Sequence, residues 1–393
     1  MRTYTKTHPW ITFKANLSHA HPKLWLMLGE CQSKCEHLSK APLRPETARE
    51  LHQVYLAKGV QATTAIEGNT LTEEQVLQHI RGELQLPPST EYMRQEIDNI
   101  IRACNETMGH VVAGTPPPLS IERIKELNEY VLHHLKVSED VQPGQLRTHS
   151  VVVGNAYRGA PAEDCPYLLD QLCAWLNGDD FKPSDSMEQY GMVFALLRAI
   201  VAHLYLAWIH PFGDGNGRTA RLIEFEILNS AGFPSPVTNL LSNRYNQTRS
   251  EYYRKLDLAS KSGGEILPFI EYAVQGFLDG LRDYVERVWK QHYDVVWRSY
   301  VHEKFRHLSG EAHKRRRTLV LDLSRTGTAK TKNEIAELSP MLAKAYAQKT
   351  SKTLGRDLNE LIAMHLIRKE GDRYRARTEE ILTYLPVRAV NTI

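Results

Sequence analysis

Between His210 and Arg221 the chain reads His-Pro-Phe-Gly-Asp-Gly-Asn-Gly-Arg-Thr-Ala-Arg, which puts a histidine, a carboxylate, three glycines and two arginines within twelve residues. Gly213, Gly215 and Gly217 allow a tight turn whose successive N–H groups point at one place, and a helix starting there adds its positive dipole end. Such a nest binds phosphate. Arg218 and Arg221, three apart in a first helical turn, can offer forked donors to the same anion. Asp214 fits beside an anion if it holds a cation, and a carboxylate carrying Mg²⁺ against a polyphosphate is a common arrangement. His210 supplies a side chain able to accept a proton near neutral pH. Each feature alone is more often structural: glycine loops are weak signals, a lone histidine usually packs, and helix arginines are usually solvated. Together they point to chemistry on a nucleotide.

Two helices must hold this stretch. Met192 to Ile209 is apolar on all sides, which predicts a buried helix stopped by Pro211. Thr219 to Ser230 carries Leu222, Phe225 and Leu228 at helical spacing, with Gly232 past its end. Upstream, Ser120 to Leu135 predicts a helix with Ser120 as its N-cap, and Pro161 to Asn177 another. Between them, Gly144 to Tyr157 mixes β-branched residues with turn formers, which predicts a short hairpin in an otherwise helical protein. Downstream, Ser242 to Ala259 brings Tyr245, Tyr252, Tyr253 and Leu256 onto a helical signal, more often a packing cluster than a binding wall. Leu267 to Trp297 predicts a long amphipathic helix.

The twelve residues match, at every fixed position, the motif HxFx(D/E)GNGRxxR of the Fic family, and the chain resembles that family most from about Ser120 to Tyr284. The resemblance implies transfer of a nucleoside monophosphate, AMP from ATP, to a Ser, Thr or Tyr hydroxyl of a target protein or of the chain itself. It makes His210 the general base and Asp214 the Mg²⁺ ligand. Gly215, Asn216, Gly217, Arg218, Thr219, Ala220 and Arg221 would then hold the phosphates. It also makes the hairpin the family's flap, which places Val151, Val152, Val153 and Gly154 near the nucleotide, with Arg147 and Thr148 just before it. Tyr252 is placed against the nucleotide, and Ser260 stands where the family often has an Asn.

A second match lies far upstream. Thr63-Thr64-Ala65-Ile66-Glu67-Gly68 fits the family's inhibitory pattern (S/T)xxxE(G/N). By position alone Glu67 sits at a helix C-terminal end, where the dipole disfavours an acid by a few tenths to about 1 kcal/mol. An exposed, screened Glu would explain that equally well. The resemblance instead pairs Glu67 with Arg221 in a resting state; in members for which AMP removal has been proposed, the same glutamate positions the attacking water.

The 393 residues suffice for two or three domains, and 42% hydrophobic content allows substantial cores. The start is polar and basic, and no uninterrupted apolar run of eighteen residues occurs, so the expectation is a cytoplasmic protein with no membrane partner. Five cysteines without a C-x-x-C pair read as reduced and structural. Net charge is +3, yet from Val301 onward 19 Lys and Arg face 11 Asp and Glu, against 30 and 35 before it. A basic tail is either a nucleic-acid or acidic-partner surface or simply solvated.

The expected fold is mainly α: a helical N-terminal region carrying the inhibitory helix over 1–113, a Fic helical core with a β-hairpin flap over 114–300, and a winged-helix-like domain over 310–385. That last domain is read from helices at Glu311 to Leu323, Lys332 to Leu338 and Ser351 to Ile367, then an alternation about Gly371. It brings a DNA or protein partner into consideration, and a DNA-binding regulator with a nucleotide-sensing pocket is the rival to the enzyme. The resemblance further implies a homodimer.

Overall fold

A computed structural model describes residues 2–84, 87, 90–153 and 157–382. The chain divides into two compact units, residues 1–285 and 286–393.

In the first unit, α1 (Tyr4–Thr7), α2 (Pro22–Lys40), α3 (Pro45–Ala65), α4 (Glu73–Ile80), α5 (Glu91–Val112) and α6 (Ile121–Leu132) precede a hairpin of β1 (Val152–Val153) and β2 (Tyr157–Arg158). Then follow α7 (Cys165–Leu176), α8 (Gly191–Ile209), α9 (Asn216–Ser230), α10 (Leu240–Gln247), α11 (Arg249–Lys261) and α12 (Leu267–Lys304), whose residues from Glu286 onward fall in the second unit. The centre is the pair α8 and α9, flanked by α3, α5, α6, α7 and α10. By length and composition residues 185–209 could cross a membrane, but 72% of that window lies inside the protein. Its role is the core.

Near the N-terminus α2 runs for 19 residues, because Leu24, Leu28, Cys31 and Cys35 line one buried face in which cysteines serve as apolar residues. All five cysteines are buried and unpaired. Downstream, the tyrosine stretch is broken at Thr248, whose hydroxyl donates to Arg244 O at 2.8 Å and meets Tyr272 Oη at 2.7 Å. A side chain that bonds the preceding turn in this way competes with a continuous helix.

The second unit follows with α13 (Glu311–Arg325), β3 (Lys330–Thr331), α14 (Lys332–Ala336), α15 (Pro340–Tyr346), α16 (Ser351–Ala363), β4 (Ile367–Glu370) and β5 (Arg373–Ala376). The strands form an antiparallel sheet in the order β3-β5-β4. Gly371, at φ +63°, turns β4 into β5. Leu319, Leu323, Ile335, Leu342, Leu358 and Tyr374 are among the residues of its core. α15 is a helix of its own, started by Ser339, whose hydroxyl accepts from Leu342 N, with Pro340 in its first turn.

Candidate active site

α8 ends on His210, which adopts the left-handed conformation at φ +50°, ψ +59°. The loop then runs to Gly215, also left-handed at φ +77°, before α9 begins. Asn216 braces the turn between them: its Oδ1 accepts from Phe212 N at 2.9 Å and its Nδ2 donates to Phe212 O at 2.8 Å. From α6, Asn128 Nδ2 donates to Asp214 O at 3.0 Å while its Oδ1 accepts from Gly144 N at 3.0 Å. The first intrahelical bond is Thr219 N to Gly215 O, and no side chain caps the helix. The N–H groups of Asn216, Gly217 and Arg218 therefore face outward at the positive end of α9.

Both motif arginines are held by carboxylates from the N-terminal helices. Arg221, buried, gives Nη2 to Glu67 Oε1 at 2.6 Å and to Thr63 O at 2.9 Å. Its Nε and Nη1 have no hydrogen-bond partner among the described residues. Arg218 donates to Glu96 Oε1 at 2.8 Å and to Asp214 Oδ1 at 3.1 Å. Glu96 also accepts from Asn69 Nδ2 at 2.9 Å, so one carboxylate ties the turn after Glu67 to the motif. Gly217 is required here, since a Cβ at that position would collide with Glu67 Oε1 and lie 3.1 Å from Arg221 Nη1.

Burial pushes the Glu67 carboxyl up, but the Arg221 charge and hydrogen bond, aided by Arg218 and His210, outweigh it and hold the group below its ordinary value. The same contact raises Arg221 against the opposing effect of burial. His210 is pushed down to about 4, first by burial and then by the Arg147 charge, against the pull of the Ala207 carbonyl, Glu67 and Asp214. Its imidazole is thus neutral at neutral pH, the state in which it can accept a proton.

A cavity of about 590 Å³ opens over these groups. Of the residues singled out in the sequence, Glu67, His210, Gly217, Ala220, Arg221 and Tyr252 line it. Arg218 and Asp214 bond to each other, Asn216 braces Phe212 and Thr219 Oγ1 donates to Gly215 O, but none of these residues is in the lining. Val151 and Val152 are not among the described residues that line it, and Val152 is exposed; the Val153 side chain and Gly154 lie outside what is described. Tyr157, the partner of Val153 across the hairpin, does line it.

Several of the contacts made here had no signal in the sequence. Tyr252 Oη meets His203 Nε2 at 2.8 Å, and His203 Nδ1 lies 3.2 Å from Glu224, to which Tyr245 also donates at 2.8 Å. The tyrosine cluster is therefore core packing and cavity wall at once. Ser260 turns inward to bond Asp257 O at 2.9 Å, and Asp257 is the polar side chain that lines the cavity there. Arg147, Asn128 and Glu96 act over long sequence distances, beyond any local pattern.

Among the described residues no group of three or more His, Cys, Asp or Glu could hold a metal ion unaided. Asp214 is a single, half-exposed carboxylate, which suits Mg²⁺ taken up together with substrate phosphates and water.

The model of the Fic/DOC family matches residues 118–228. The protein adenylyltransferase fic-1 of Caenorhabditis briggsae is 29% identical over 266 residues, covering 67% of this chain and 47% of that protein. The protein adenylyltransferase Fic of Drosophila ananassae is 31% identical over 238 residues, covering 60% and 42%. The chain thus spans about half the length of the curated relatives it matches. In fold it is similar to a Fic family protein of Desulfovibrio desulfuricans, with a TM-score of 0.56 at 21% identity over 92% of this chain and 98% of the other. Fic-1 (residues 134–508) of Caenorhabditis elegans gives a TM-score of 0.52 at 24% identity over 68% and 73%. With its motif intact on this fold, the chain carries a Fic/DOC domain over residues 118–228.

Proposed function

We propose that this protein transfers AMP from ATP to a hydroxyl side chain of a protein, and that Glu67 restrains the reaction. One observation carries the reading: a single cavity joins a neutral His210 to a helix N-terminus flanked by an arginine with two unpartnered donors. The relatives' names as protein adenylyltransferases support it.

His210 takes the proton of the target hydroxyl, whose oxygen bonds to the α-phosphorus as the bond to pyrophosphate breaks. The outward N–H groups of Asn216, Gly217 and Arg218 stabilise charge growing on the phosphate oxygens. Arg221, once free of Glu67, orients the outermost phosphate. Asp214 would hold Mg²⁺, which when bound neutralises phosphate charge. While Glu67 occupies Arg221, ATP lacks that partner and is bound in a pose unsuited to in-line attack. Incubation with α-labelled ATP and Mg²⁺ tests the reading: label on this protein or on a partner supports it, and no label from wild type or Glu67→Gly contradicts it.

A second activity is favoured by the C-terminal unit. Its order, α13-β3-α14-α15-α16-β4-β5, resembles that of a winged helix with one helix added, so that α16, the fourth, precedes the hairpin of β4 and β5. Lys352 and Arg356 are exposed one turn apart on α16, and Lys369 and Arg375 on the hairpin; none has a carboxylate partner among the described residues. We infer that these exposed basic residues bind the backbone of duplex DNA, independently of the transfer reaction. Mobility-shift affinity should then fall steeply with salt and vanish on deletion of residues 310–393. Absence of a shift at low salt would leave a protein as the partner.

A further inference from the structure

The last carbonyl groups of an α-helix lack donors within the helix, and at α8 these groups are served from the hairpin side. Trp208 O accepts from Tyr157 Oη at 2.8 Å, and Ile209 O from Ala160 N at 3.2 Å. His210 O accepts from Arg147 Nε at 2.7 Å, and Pro211 O from Arg147 N at 3.0 Å. The same guanidinium donates through Nη1 to His149 O at 2.7 Å and through Nη2 to Ala160 O. Arg147 is 5% exposed and has no carboxylate partner among the described residues, so every acceptor it uses is a backbone carbonyl.

A buried guanidinium without a counter-ion is costly. Here the cost is offset by charge-assisted bonds and by the negative end of the α8 dipole, which favours a cation. What the arrangement secures is visible in the backbone. His210 holds a left-handed φ that costs a non-glycine residue about 1 kcal/mol, and such a conformation persists only where its surroundings over-determine it. Gly159 closes the joint from the other side: a Cβ there would lie 2.9 Å from His210 Cβ and 3.0 Å from Arg147 Nη2.

We propose that Arg147 is the positioning residue for His210: it locks the left-handed turn at the end of α8 and, by gripping His149 and Ala160 on either side of the hairpin, binds turn and hairpin into one rigid joint. The inference rests on the reading of His210 as the base, and it adds that base and hairpin are aligned by one side chain that touches no substrate. A base displaced by about 1 Å loses on the order of 100-fold in rate, while the phosphate nest on α9 is untouched.

The test uses the full chain in the Glu67→Gly background, with Arg147→Ala, Arg147→Lys and Gly159→Ala. Transfer should fall on the order of 100-fold in Arg147→Ala and recover in part in Arg147→Lys, which keeps one charged donor. Calorimetric ATP affinity and one-to-one stoichiometry should not change. Hydrogen exchange of the amides of residues 147–153, 157–160, 209, 210 and 212 should speed up on the order of tenfold or more. Loss of ATP stoichiometry in step with transfer would show a merely structural residue, and a parental rate or unchanged exchange would overturn the joint. If Arg147→Ala does not fold, Arg147→Lys and Gly159→Ala must show the same pattern, or the proposal fails. If the parent itself transfers nothing, the transfer reading is lost, and hydrogen exchange alone decides whether Arg147 holds the joint.

Discussion

Arg221 and Glu67, 154 residues apart, meet at 2.6 Å inside the nucleotide-sized cavity. Each is the other's main source of opposite charge. On the proposed reading the pair withholds one of the motif's two cations from the phosphates without filling the cavity, and would act on the pose of the nucleotide more than on its access.

Nucleotide binding and chemistry should separate by mutation. His210→Ala leaves α9, Arg218 and Arg221 in place, so ATP should bind nearly as before while transfer drops on the order of 100-fold or more. Asp214→Ala should do the reverse and weaken only the Mg²⁺-dependent part of binding, because Arg218 keeps Glu96. Titration calorimetry with ATP, with and without Mg²⁺, reads both. Equal loss of metal-dependent binding in the two variants would contradict the division of roles.

The acid side of the pH profile follows from His210. An imidazole of ordinary pKa would lose base activity as pH falls through 6.5, whereas burial and Arg147 move the limb of the free enzyme to about 4. Stability has the corresponding sign. Unfolded His210 takes up a proton near 6.5 and folded His210 only near 4, so up to about 3 kcal/mol is lost as pH falls through that window. The depressed Glu67 carboxyl adds loss in the same direction, as pH falls toward its folded value. Thermal melts of wild type and His210→Ala between pH 4 and 7 should diverge, with wild type the steeper; parallel curves would refute the shift.

Asn216→Ala should destabilise the loop more than its size implies. Both polar groups of Phe212 are buried and served by that one amide, and leaving them unpaired costs about 2 kcal/mol. The melting temperature should fall by about 2–4 °C, with transfer reduced beyond the loss of folded protein. Asn216→Asp restores only the bond to Phe212 N and should lie between.

Much of this was legible in the chain because it is local. The apolar run of α8, the glycines of the loop and a helix after them, expected from Thr219 and found from Asn216, follow from short-range chemistry, and Glu67 from a six-residue pattern. The supports were not legible. Asn128 and Glu96 reach the motif from 86 and 122 residues away, and nothing in their neighbours reveals an inward polar side chain; Arg147, which the resemblance placed just before the flap, gave no sign that it grips His210 O from 63 residues away. His203 was hidden in an apolar helix whose pattern says only that it is buried. Ser260 drew attention by its position after the tyrosines, yet it faces its own helix and Asp257 takes the wall.

The most direct measurement is transfer of α-labelled AMP by wild type, Glu67→Gly, and Glu67→Gly with His210→Ala, each across a range of ATP concentrations with Mg²⁺. Releasing Arg221 from a coupling of about 1–3 kcal/mol predicts labelling by Glu67→Gly on the order of tenfold or more above wild type, and none by the double variant. Equal labelling by wild type and Glu67→Gly would remove Glu67 as the brake, and labelling that survives His210→Ala would contradict transfer by this site.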